Sequence, residues 1–192
     1  MNLTQKLFNK FNLEYELNKR NLSLLEFAGK AFFYDFSKLL ILFLFALVTH
    51  QIAAFFLDTF LLILLRNSNG GIHLKHYWSC FLLSFFIIAF SIIIPQHLIF
   101  PKSIMLLLLL VCIFVNYMIG PLPSRQCRIK DRNIFSKGKI NSFFIVFLYM
   151  TILFFFPVSP LLASGFYIIV FLSLQLVIEK FLRIYTERKK IL

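Results

Sequence analysis

Apolar residues run along this chain in long blocks, and the few polar positions that interrupt them fall at membrane-sized intervals. Positions 31–65 form a nearly unbroken apolar run. As one helix rising about 1.5 Å per residue it would exceed ~50 Å, against about 30 Å for a hydrocarbon core. The polar triplet Thr49-His50-Gln51 divides it and predicts two spans, 32–48 and 52–65. The second is short but workable with snorkelling side chains or local thinning. Further spans are expected at 81–94, closed by Pro95-Gln96-His97, at 104–119, at 143–156, closed by Pro157-Val158-Ser159-Pro160, and at 161–178. Backbone inside lipid must satisfy its own hydrogen bonds, so the expected fold is all-α, a polytopic bundle of about six transmembrane helices in a single integral membrane domain, residues 1–192.

Residues 1–31 follow another pattern. Leu3, Leu7, Phe11, Leu17, Leu24, Leu25 and Phe27 alternate at roughly helical spacing with Lys6, Lys10, Lys19, Arg20 and Lys30. Such helices lie in the interface, apolar side in the acyl boundary and basic side on anionic head groups, although a solvated face packed on the bundle gives the same pattern. The region lacks an apolar core followed by a small-residue cleavage site, so the N-terminal region is expected to stay on the cytoplasmic side.

Composition agrees: 60% hydrophobic residues with 27 Phe and only 15% charged residues exclude an ordinary soluble domain. The net charge of +12 is informative through its placement. Six Lys/Arg precede position 39, two lie in 66–78, six in 120–140 and five from Glu179 onward, which leaves Lys102 alone in the other connectors. Three re-entering hairpins put every one of those basic segments, and both termini, on the cytoplasmic side. One span over 39–65 would instead place Arg66 and the basic loop 120–140 outside. The basicity is thus that of an inside-positive protein facing an anionic leaflet, and it does not call for nucleic acid. Arg125, Arg128, Lys130 and Arg132, with Lys137 and Lys139, also offer a docking surface for an acidic peptide. Three scattered cysteines make neither a disulfide framework nor a zinc pattern, and no metal or cofactor is implied.

The candidate chemistry lies in the polar island between the second and third spans, Arg66-Asn67-Ser68-Asn69-Gly70-Gly71-Ile72-His73-Leu74-Lys75-His76-Tyr77-Trp78-Ser79-Cys80. A thiol becomes a strong nucleophile when a histidine takes its proton or a helix N-terminus favours the thiolate. Cys80 opens the apolar run and is expected in the first turn or two of a helix, where the dipole favours negative charge. His73 precedes it by seven residues, about 10 Å along an uninterrupted helix and too far for proton transfer. The segment must therefore fold back, and Gly70-Gly71 supplies the freedom to do so. His76, one turn from Cys80, is a competing base, and spacing does not choose between the two. The plainer reading, a small core cysteine with interfacial histidines, stands beside both. Tyr77, Trp78 and Phe81 offer either a roof over the site or an interfacial aromatic belt. Asp58 within the second span is an intramembrane carboxylate, a candidate for the site or for a pairing role in the bundle. Ser84 lies one turn beyond Cys80, where it could orient the site or bond its own helix. Cys112 reads as a packing residue, and Cys127 has electropositive neighbours but no histidine near in sequence.

Arg66, Gly71, His73 and Cys80 at this spacing resemble the signature of the accessory gene regulator B family, membrane thiol endopeptidases of Gram-positive peptide quorum sensing. The amphipathic N-terminal region with Asn18-Lys19-Arg20-Asn21, the apolar stretch leading to Arg66, the later basic loop and the overall length are similar too, so the resemblance covers nearly the whole chain. It implies His73 as the catalytic histidine, Cys80 as the nucleophile, and Arg66 and Gly71 as positions needed for activity; His76 matches no catalytic position. It implies cleavage of a small amphipathic propeptide through a thioester, closure of a thiolactone or lactone ring, and a homodimer. Members often carry a Lys-Pro pair after the fourth span. Here Gly120-Pro121-Leu122-Pro123 leads to Arg128-Ile129-Lys130-Asp131-Arg132-Asn133 without that proline, a departure that bears on substrate docking more than on chemistry. The reading from another class is a small transporter or non-catalytic scaffold, in which the polar island is merely a loop.

Overall fold

The triplet that divides the first apolar run ends one helix and lets the next begin. In the computed structural model, which describes residues 36–70, 77–122 and 132–191, helix α1 (Phe36–Val48) stops where His50 takes a left-handed conformation, φ 55°. The His50 amide donates to the Leu47 carbonyl at 3.1 Å and the Gln51 amide to the Ala46 carbonyl at 2.9 Å. This is the paired-bond ending usually built on glycine. A residue with a Cβ is penalised there, so His50→Gly should stabilise the detergent-solubilised protein by about 1 kcal/mol. A thermal unfolding curve that does not move upward contradicts it.

The remaining helices are α2 (Ile52–Asn69), α3 (Tyr77–His97), α4 (Lys102–Ile119), α5 (Arg132–Phe155) and α6 (Pro160–Ile191). Four of them, α2, α4, α5 and α6, are long and apolar enough to cross a membrane, and α1 and the Phe81–His97 part of α3 are shorter apolar helices. The all-α membrane bundle expected from the apolar blocks is what forms. The interfacial region 1–31, Gly71, His73, His76, Arg125, Arg128 and Lys130 lie outside the described residues. Contacts divide the chain into two units, Met1–Ile41 and Leu42–Leu192, and the second contains the bundle.

Within that unit α6 is the central helix, touching α2, α3 and α4, while α5 packs against α2 and α4. Every residue from Ala163 to Ile169 is buried, so this stretch of α6 is enclosed all round. Phe166, Ile168 and Ile169 there meet Ile88 and Ile92 of α3, Met105 and Leu109 of α4, and Val146 and Leu153 of α5 in one core. Large apolar side chains such as Phe56, Phe60, Phe86, Phe90 and Phe144 point outward instead. In lipid this is no anomaly, because acyl chains are as apolar as the core and helices associate through packing and polar contacts.

Two helices outrun their apolar blocks by several turns. Helix α5 begins at Arg132, so Lys137 and Lys139 stand on a helix rather than in a loop, and α6 continues well past 178. Hydropathy marks where lipid ends, whereas the helical hydrogen-bond ladder continues through residues of good helix propensity; an i,i+4 pair, Glu179 with Arg183 at 2.8 Å, supports the extension of α6. Lys102, the exception in the charge count, has its own explanation. Its Nζ donates to the Phe154 carbonyl at 2.6 Å and the Phe156 carbonyl at 3.3 Å, where a cation satisfies the free carbonyls ending α5.

Candidate functional site

The polar island begins on α2, whose last turn carries Arg66, a cation on the negative end of the helix dipole. The Gly70 amide closes the helix by donating to the Arg66 carbonyl at 2.9 Å. Gly70 itself has φ 74° and ψ −149°, a backbone region occupied essentially by glycine alone. There the chain meets the segment after α4. The Leu122 amide donates to the Asn69 carbonyl at 2.8 Å and Gly70 pairs with Leu122 as an isolated parallel bridge. A Cβ on Gly70 would lie 2.2 Å from the Leu122 carbonyl oxygen.

Side chains reinforce this closure. Asn69 Nδ2 donates to Asn116 Oδ1 at 3.0 Å, Asn116 Nδ2 donates to Ser173 Oγ at 3.1 Å, and Ser173 Oγ donates to the Ile169 carbonyl at 2.9 Å. All three residues are buried, so one hydrogen-bonded chain joins the last residue of α2 to α4 and α6. Gly120 lets Asn69 come near, since a Cβ there would lie 2.9 Å from Asn69 Oδ1. Beside the chain is a cavity of about 10 Å³ between Arg66, Asn69, Asn116 and Gln175, closed by Leu65, Leu172 and Leu176. Its size suits about one water molecule. Asn69 Oδ1 is buried and accepts no hydrogen bond among the described residues.

Beyond Gly70, residues 71–76 lead to α3, which starts at Tyr77. The backbone of Cys80 is therefore in the first turn of α3, as its position at the head of an apolar run predicts; its side chain is not described. Ser84 is half-buried one turn further along. The aromatic residues divide. Phe81 is buried, with its ring 6.0 Å from Phe85, while Trp78 is 69% exposed and touches Phe81 edge-on at 6.2 Å. Trp78 thus faces outward like an interfacial belt residue, and Phe81 is the member that packs inward.

Asp58 is fully buried, eight residues before Arg66 and so about 12 Å back along α2. Ser91 Oγ of α3 donates to Asp58 Oδ2 at 2.6 Å, Asp58 Oδ1 is buried without a hydrogen-bond partner among the described residues, and the buried Ser164 of α6 donates to the Leu161 carbonyl at 2.8 Å. The buried Tyr149 of α5 donates its hydroxyl to the Leu162 carbonyl of α6. Through Ser91, Asp58 ties α2 to α3 inside the bundle, away from the end of α2 that carries Arg66. Asp58→Asn, which keeps an acceptor for Ser91, should therefore leave peptide processing at the wild-type level. Asp58→Leu should destabilise by about 1–3 kcal/mol, the cost of stranding buried polar groups, and a selective loss of processing in the asparagine variant contradicts this placement.

Cys112 is buried in the core, the packing role its position suggests. Arg132 opens α5, although only its backbone is described. The residues that clasp the island, Asn69, Gly70, Asn116, Gly120 and Ser173, carry a signal in the sequence. Asn116 and Ser173 are polar positions inside apolar runs, where such side chains are costly unless partnered.

A family model described as accessory gene regulator B matches residues 2–179. No curated protein and no solved structure matches the chain. With a helical membrane bundle, a polar segment from the end of α2 to the first turn of α3 that carries Arg66, Gly71, His73 and Cys80, and a family match along almost its full length, the chain belongs to the accessory gene regulator B family, membrane proteins involved in processing quorum-sensing peptides.

Proposed function

We propose that this protein is a membrane-embedded cysteine endopeptidase that cleaves a small quorum-sensing propeptide on its C-terminal side. The observation that carries the reading is the position of Cys80 in the first turn of α3, seven residues after His73 and joined to Arg66 by a short connection, in a chain of this family. The N-terminal end of a helix favours a thiolate, and His73 takes the thiol proton. The sulfur attacks a propeptide carbonyl, the carbon–nitrogen bond breaks, and the imidazolium gives its proton to the departing amine. This leaves the N-terminal part of the propeptide as a thioester on Cys80. A cysteine or serine within the propeptide then attacks that carbonyl, closing a thiolactone or lactone and freeing Cys80. Exchange between thioesters costs little free energy, so no nucleotide is needed while water is kept from the intermediate.

Arg66 at the end of α2 and Gly71 beyond it support the site. The basic stretch with Arg125, Arg128, Lys130 and Arg132, which follows in sequence the Leu122 that pairs with Gly70, receives acidic residues of the substrate. The substrate approaches along the anionic inner leaflet, with the catalytic segment and both termini in the cytoplasm. The test is co-expression with a candidate propeptide, followed by mass spectrometry of cells and medium. The C-terminal fragment and a ring-closed product should appear only when this protein is present; an unprocessed but exported or merely bound propeptide would favour a transporter or scaffold.

A further inference from the structure

The hydrogen-bonded chain under the polar island has a geometry that general stabilisation of the bundle does not require. It ends on Asn69, the last residue of α2, and Asn69 also accepts the Leu122 amide through its backbone at 2.8 Å. The point from which the catalytic segment departs is thereby held by side chains from α4 and α6 and by the backbone after α4, all buried or half-buried. Residues 71–76 follow that point and α3 begins at Tyr77, so Asn69 anchors the start of the stretch that carries His73 and leads to Cys80.

We infer that Asn116 and Ser173 are positioning residues for the peptidase: they hold Asn69, and through it the start of the catalytic segment, in the register that lets His73 reach Cys80. The inference rests on the endopeptidase reading. Two magnitudes set a positioning role apart from a structural one. Polar side-chain pairs between helices in membrane bundles contribute only modestly to stability. Misplacement of a catalytic group by about 1 Å, in contrast, lowers turnover by about 10²-fold. Asn116 makes two bonds of the chain and should show this contrast most clearly; Ser173 makes the more distant one.

The experiment uses the full chain purified in detergent with a synthetic candidate propeptide. It measures kcat and KM, the thermal midpoint, and the rate at which iodoacetamide alkylates Cys80 at neutral pH, read at that residue by mass spectrometry. For Asn116→Leu, kcat should fall about 10²-fold with KM little changed and the thermal midpoint near wild type. Cys80 alkylation should slow about tenfold, because a thiol without its base is only a few per cent thiolate near pH 7. Ser173→Ala should show a smaller loss in the same direction, and Ser173→Thr, which keeps the hydroxyl, should restore it. If Asn116→Leu does not fold, the Ser173 pair decides. Wild-type kcat and alkylation in Asn116→Leu, or a loss that merely follows the folded fraction, overturns the inference. Alkylation keeps it separate from the peptidase reading. A wild-type protein that cleaves no propeptide, yet whose Cys80 reactivity falls on loss of Asn116, would overturn the reading and support the positioning role.

Discussion

Cys80→Ala should abolish processing of the propeptide, with no C-terminal fragment detectable by mass spectrometry and the protein still present at normal abundance in the membrane. Alanine offers no sulfur to carry the acyl group, so both cleavage and ring closure stop. His73→Ala should lower the rate by about 10²–10⁴-fold, the usual worth of a positioned general base, and the residue of activity should rise with pH as hydroxide removes the thiol proton instead. His76→Ala is the informative neighbour. It lies one helical turn from Cys80 by spacing, yet the proposed mechanism gives it no role, and its alanine variant should process at close to the wild-type rate. Processing lost in His76→Ala and kept in His73→Ala would exchange the two roles. Processing that survives both Cys80→Ala and His73→Ala would end the thiol mechanism.

Gly70→Ala should be the most damaging single methyl group in the described bundle. At φ 74° and ψ −149° an L side chain is strained by about 1–3 kcal/mol, and the new Cβ would lie 2.2 Å from the Leu122 carbonyl oxygen. That oxygen belongs to backbone, so it cannot rotate away as a flexible side chain would. The Gly70–Leu122 pairing must open, and the Asn69 carbonyl loses the Leu122 amide. The thermal midpoint should fall clearly, and processing should fall further than the folded fraction alone explains. Leu122→Ala is the control, because the clasp uses only the backbone of Leu122 and should survive truncation of its side chain. A Gly70→Ala protein with wild-type midpoint and processing would show that the clasp does not hold the catalytic segment.

The contrast between those two residues shows which parts of the protein the sequence reveals. Cys80 and His73 stand out because a thiol and an imidazole sit in one short polar island, and the helix that starts just before Cys80 is visible as the onset of an apolar run. The turn at Thr49-His50-Gln51 is visible for a similar reason: three polar residues cannot be left in the middle of lipid. Gly70 shows only as a flexible position, because its partner Leu122 is 52 residues away and pairs through backbone, which leaves no mark on side-chain pattern. Asn69, Asn116 and Ser173 are each recognisable as polar residues within or beside apolar helices, but which of them meet depends on how α2, α4 and α6 rotate against one another. Trp78 and Phe81 are three apart on one helix, and only that rotation decides that one faces out and the other in. The start of α5 and the end of α6 were hidden by a different cause, since hydropathy records the depth of the lipid while a helix ends only where its hydrogen bonds do.

Taken together, the bundle gives the catalytic segment two fixed ends, the clasp at Asn69 and Gly70 and the first turn of α3. What the account claims of the chemistry between them is a covalent acyl intermediate. Its most direct test is to mix purified protein with a propeptide whose internal ring-closing cysteine or serine is replaced by alanine, quench in acid, and digest for mass spectrometry. The account predicts the N-terminal part of the propeptide attached to the peptide that contains Cys80, released by hydroxylamine and formed about 10²–10⁴-fold more slowly in the His73→Ala protein. Cleavage of that propeptide with no adduct on Cys80 at any time, or an adduct on Cys112 or Cys127 instead, would contradict it.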